Sequence, residues 1–108
     1  MSPVIPAPRV PGYESLEQVL EDAYLQASAG KGKERHANAL PFGEQRMLSI
    51  SNLLDSPHGM SYQAIKKITE GLQFTDPVAL EKELLGAIVY VAGILVRQKQ
   101  ILAAANGK

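Results

Sequence analysis

At 108 residues, 45% hydrophobic and 20% charged, the chain is the size and composition of one globular domain. Eleven basic residues balance eleven acidic ones, so no global field recruits nucleic acid or an acidic membrane, and any anion site must be local. With no cysteine there is no disulfide framework, thiolate nucleophile or Cys-ligated metal centre, a composition that suits a reducing cytoplasm.

The N-terminal MSPVIPAPRVPGY lacks the charged-then-apolar layout of a secretory signal. Prolines 3, 6, 8 and 11 fix φ and remove donors, which predicts an extended arm over residues 1–12. A single helical domain is expected over 13–105, with a flexible tail at 106–108.

Ser15 followed by Gln18 reads as a capping box. Leu16, Val19, Leu20, Ala23, Tyr24 and Ala27 then recur at i, i+3, i+4 spacing, an amphipathic helix stopped by Gly30. Glu17, Glu21 and Asp22 suit the positive end of its dipole. A helix of about four turns is not stable alone and must dock on something.

Between Gly30 and Gln45 runs GKGKERHANALPFGEQ, where Lys31, Lys33, Arg35 and His36 are spaced by glycine. Glycines let backbone donors approach oxygen atoms, and Lys and Arg add charge-assisted hydrogen bonds, so the loop suits a phosphate-bearing ligand. A solvated surface loop has the same look.

Glu44 to Leu54 has mostly helical spacing at Met47, Leu48, Ile50, Ser51 and Leu54, and DSPHGM then breaks it. Ser61 is the expected cap of a further helix to about Glu70. Ala64, Ile65 and Ile68 form its apolar side, Lys66, Lys67 and Glu70 its polar side, and Gly71 its end.

Asp76–Pro77 is a strong helix start. The segment from Pro77 to about Ala104 would be about 42 Å long at roughly 1.5 Å per residue, more than a small compact domain can cover. Its centre, LLGAIVYVAGILV at 84–96, is apolar on every side. It falls short of the roughly 20 residues that span a bilayer, and Glu81, Glu83, Arg97 and Lys99 bracket it. Gly86 and Gly93, beside Ala87 and Ala92, would let another helix approach closely. The fold class expected is all-α: a short N-terminal helix, a basic loop, a broken middle helix and one long C-terminal helix, packed in an intertwined homo-oligomer.

No catalytic constellation emerges. His36 and His58 have no metal-ligand partners at HxxxH or HExxH spacing, and Glu81 and Glu83 point to different helix faces. Ser56, His58 and Ser61 lack an acid placed to orient a base. GKGKERH lacks the spacing of a P-loop. A helix-turn-helix over the Ser56–Gly59 break is the DNA-binding alternative, supported only by Lys66, Lys67 and Gln63 in a neutral chain. Another helical oligomeric regulatory protein is the remaining alternative.

The run QASAGKGKERHANALPFGEQRM, then SPHGMSYQAIKKITEG, then ELLGAIVYVAGI resembles the small phage proteins that block CBASS immunity by sequestering cyclic oligonucleotide messengers, the anti-CBASS sponge of the second described type. The similarity covers about residues 15–96, in the same order. It implies a compact helical hexamer in the cytoplasm of the infected bacterial host. Cyclic dinucleotides such as cyclic GMP-AMP would bind between protomers and stay uncleaved, with cyclic trinucleotides held at separate pockets in some members. No cofactor, membrane or DNA is implied. In that family an N-terminal tyrosine covers the base and a nearby lysine meets the phosphate. Tyr13 and Tyr24 could match the first, Lys31 and Lys33 the second, with Arg35 and His36 in support and Lys66 and Lys67 as weaker candidates for the second kind of pocket.

Overall fold

The structure is a computed structural model and describes residues 10–29 and 40–107. It is all-α: α1 (Glu14–Ala29), α2 (Arg46–Leu54), α3 (His58–Gly71) and α4 (Pro77–Asn106), with one 3₁₀ turn at Phe42–Glu44 before α2. There is no strand among the described residues. The 30 residues of α4 form a rod of about 45 Å at roughly 1.5 Å each, against which α3, α1 and α2 all pack.

Extended backbone is expected through residue 12, but Val10–Tyr13 closes a turn, with Tyr13 N–H donating to the Val10 carbonyl at 3.2 Å. Pro11 supplies its preset φ, and Gly12, at φ +94°, takes the position that needs a left-handed residue. The Tyr13 carbonyl then accepts from Glu17 N–H, so α1 begins before Ser15. The expected capping box does not form: Gln18 donates instead to Asp22 Oδ1 at 2.9 Å.

The expected start of α3 is corrected in the same way. Asp55 ends α2 in the left-handed region (φ 50°), and the Ser56 N–H reaches back to the Ser51 carbonyl at 2.9 Å. Ser56 Oγ then accepts from His58 N–H at 3.1 Å, so Ser56 serves the start of α3. Ser61 lies inside the helix, its hydroxyl donating to the His58 carbonyl at 2.9 Å. These bonds occupy both serines with backbone groups of the turn.

Asp76–Pro77 starts α4 as its residues demand: Asp76 Oδ1 accepts from Val78 N–H at 3.2 Å and Pro77 sits where no donor is needed. Asp76→Ala should lower stability by about 1 kcal/mol, with Asp76→Asn close to wild type, both read from urea midpoints.

The core is narrow. Ala23, Leu48, Met60, Ala64, Leu85 and Ala87 are its buried apolar side chains, and only Leu48 and Met60 among them are both large and wholly enclosed. On α1, only Ala23 of the expected apolar stripe is buried; Leu16, Val19, Leu20 and Tyr24 are exposed. On α3, Ile65 and Ile68 are exposed and Met60 faces α4 instead. The helix turns its small residues inward because Ala64 and Gly71 permit close approach to α4, which leaves the larger isoleucines outside.

The glycines fit that account. A Cβ at Gly71 would stand 2.9 Å from Glu83 Cβ, and Gly71 has no positive φ, so close packing on α4 rather than chain reversal explains it. A Cβ at Gly93 would stand 2.9 Å from Met60 Sδ and 3.1 Å from Met47 Cε. Gly86 and Gly93, expected to let another helix approach closely, receive Lys67 and Met60 of α3 and Met47 of α2.

Arg97 is buried near the far end of the core. Its Nε donates to Asn52 Oδ1 and its Nη2 to Asp55 Oδ1, each at 3.1 Å, tying α4 to the end of α2. The Asp55 carboxylate is 97% exposed, so solvent screens the ion pair and the neutral bond to Asn52 fixes the geometry. No helix among the described residues is long and apolar enough to cross a membrane.

Candidate ligand groove

All four helices line one groove of about 820 Å³. α1 contributes Gln26 and Ala27 from its last turn, α2 the side of Arg46, Met47 and Ile50, and α3 Met60, Gln63 and Lys67; α4 closes it with Lys82, Glu83, Gly86, Val89 and Tyr90. Gln26 Nε2 donates to the Lys82 carbonyl at 3.0 Å and holds the end of α1 against α4. The volume is that of a site for a drug-sized ligand, and the mixture of apolar wall with a few polar groups is typical of one.

Lys67 is one of the charged side chains lining the groove. Its stem lies over Gly86, where a Cβ would come within 3.0 Å of Lys67 Cδ and 3.2 Å of Cε. The glycine therefore provides the floor that lets a long side chain lie along α4. The Lys67 ammonium stands 3.5 Å from Glu83 Oε2, both side chains partly buried, at 28% and 29% exposure. Arg46 and Lys82 also line the groove and pair with no carboxylate among the described residues. Burial pushes the Tyr90 phenol up, and its hydroxyl, un-ionised at neutral pH like that of any tyrosine, can donate a hydrogen bond while the ring presents a neutral face.

Of the residues singled out in the sequence, Lys67 lies in this groove. Lys66, next to it, points away and stands 4.0 Å from Glu70 on the exposed side of α3. Tyr13 and Tyr24 are exposed on and before α1, and neither lines the groove. Lys31, Lys33, Arg35 and His36 lie outside the described residues. The helices on either side of that segment, α1 through Ala27 and α2 through Arg46, both form walls of the groove.

Tyr90, Arg46, Lys82 and Glu83 were not legible as site residues. The last two look like solvated charges at a helix start, and Tyr90 like core within an apolar run. The one available signal was Gly86, four positions before Tyr90 and three after Glu83, on the face where α4 admits a foreign side chain.

Glu81 lines a separate apolar crevice between α1 and α4, with Val19, Leu80 and Leu84, so Glu81 and Glu83 serve different sides of the helix. No group of three or more metal-ligating side chains occurs among the described residues. The outward face of α3 offers Tyr62, Ile65 and a Lys66 already beside Glu70, a poor match to a DNA backbone that rewards several free cations. No family model, curated protein or solved structure matches the chain.

Proposed function

We propose that this chain binds and sequesters cyclic oligonucleotide second messengers, cyclic dinucleotides such as cyclic GMP-AMP foremost, without cleaving them, and so keeps CBASS effectors inactive in an infected bacterium. The observation that carries the reading is the groove itself. Lys67, Arg46, Lys82 and Tyr90 all line it, with the two helices that flank the glycine-and-lysine segment as walls. A phosphate diester asks for such cations, and a purine asks for a flat apolar or aromatic surface, worth about 1–3 kcal/mol per base when stacked.

The reading includes assembly of several copies, by resemblance a hexamer. It is supported by the apolar surface a single chain leaves open: Leu53, Leu54, Ile65 and Leu72 on and after α2 and α3, and Val91 and Leu95 on the middle of α4, are all exposed. Sequestration needs preorganised contacts and tight binding rather than a paired acid and base.

Calorimetry of the purified protein with cyclic GMP-AMP should give saturable heat at micromolar protein, and heating the complex should release the ligand intact. A native mass spectrum should show an oligomer that gains ligand in stoichiometric steps. Absence of heat together with an unchanged native mass would reject the reading, and recovery of linearised nucleotide would replace it with an enzyme.

A further inference from the structure

The Lys67–Glu83 pair is an unusual feature for a groove meant for anions. A carboxylate in such a site repels the ligand's phosphate, yet Glu83 sits in the groove wall facing Lys67 at 3.5 Å. The backbone holds it there: Glu83 Cβ packs where Gly71 leaves room, and the Lys67 stem is laid toward it across Gly86. Both partners are therefore positioned by glycines of the two helices, one on α3 and one on α4.

Resting on the reading of the groove as a phosphate site, the geometry points to Glu83 as a built-in competitor. It occupies the Lys67 ammonium in the empty groove and must yield it when a ligand phosphate arrives. Lys67 has three N–H donors and can exchange one partner for the other without moving its stem. Among the described residues the remaining charged groups lining the groove are Arg46 and Lys82, which attract the phosphate while Glu83 opposes it. The carboxylate thus sets the affinity threshold: a weakly bound monophosphate does not repay the exchange, whereas a ligand that adds ring stacking and a second phosphate does.

The test is a mutant cycle in the full chain with two probes, cyclic GMP-AMP by calorimetry and inorganic pyrophosphate by phosphorus line broadening. Glu83→Gln keeps the shape and removes the competing charge. It should tighten both probes about fivefold, the ratio that corresponds to roughly 1 kcal/mol for a partly exposed pair. In a Lys67→Met background the gain should shrink to less than about twofold, because no ammonium remains to be released and only the screened repulsion between carboxylate and phosphate is relieved. Glu81→Gln, on the other side of α4, should leave affinity unchanged, and thermal melts establish that each variant is folded.

An unchanged or weaker affinity in Glu83→Gln overturns the inference. So does a gain of undiminished size in the Lys67→Met background, since that is a general field effect. Pyrophosphate responding as expected while cyclic GMP-AMP fails to bind would keep the competitor and reject the cyclic-nucleotide reading. Binding of neither probe to any variant rejects both.

Discussion

Leu48→Ala should destabilise the protein by about 3 kcal/mol, the range found for emptying a fully enclosed leucine site. Leu48 is 0% exposed and sits on α2, the shortest helix, where it helps join α2 to the rest of the fold. The loss is large because the core is small: among the described residues Met60 is the other large side chain that is wholly enclosed, and the remaining buried apolar positions are mostly alanine. Against the roughly 5–15 kcal/mol of net stability that a domain has, one such cavity removes a major share. Urea unfolding followed by circular dichroism measures it, at fixed protein concentration because association would make the midpoint concentration-dependent. Leu53→Ala is the control on the same helix. At 83% exposure its cost within one chain is small, about 0.5 kcal/mol or less. A larger loss at high protein concentration that shrinks toward this value on dilution would mean that Leu53 is buried between copies.

The contrast between Leu48 and Leu53 also shows where sequence reasoning stops. Helical periodicity reports which residues share a face, and it located the helices. It does not report which face finds a neighbour. On α3 the period selects Ala64, Ile65 and Ile68, but the packing partner α4 admits the narrow strip of Met60, Ala64 and Gly71, because glycine on both helices allows the axes to approach. Local chemistry was legible at Asp76–Pro77, where the cap and the proline act within three residues, but not at Ser15–Gln18 or Ser61, whose side chains bond elsewhere. Ser56–Pro57 carries a similar signature one turn before Ser61. Ser56 Oγ accepts from His58 N–H there, whereas the Ser61 hydroxyl donates to the His58 carbonyl inside the helix.

The groove was less legible for the same reason. Lys67 was one cation on a solvated helix until α4 supplied Gly86 beneath it and Glu83 beside it, residues 16 or more positions further along the chain. Tyr90 was hidden inside a run whose uniform apolarity erases the distinction between a side chain that packs and one that lines a groove. Gly86 and Gly93 were recognisable as places of close approach. Their occupants, a lysine stem and two methionines, were not.

Gly86→Val should leave the fold standing and weaken cyclic GMP-AMP binding by tenfold or more. Valine is a somewhat better helix residue than glycine, so the local backbone gains a few tenths of a kcal/mol. The obstacle lies on the Lys67 side. Even a bare Cβ at position 86 comes within 3.0 Å of Lys67 Cδ and 3.2 Å of Cε, and the two valine methyls fill the remaining space. Lys67 is a four-carbon chain with a free end, so it yields by swinging toward solvent, and the α3–α4 packing at Ala64, Gly71 and Gly93 stays in place. The ammonium then leaves both Glu83 and the groove. A charge-assisted hydrogen bond to phosphate contributes about 1.5–3 kcal/mol, which converts to a tenfold or greater loss of affinity. Lys67→Met should reproduce that loss, and combining it with Gly86→Val should add nothing further, because both changes remove the same contact. Wild-type affinity in a folded Gly86→Val protein would place the phosphate elsewhere and return Lys67 to an ordinary partner of Glu83.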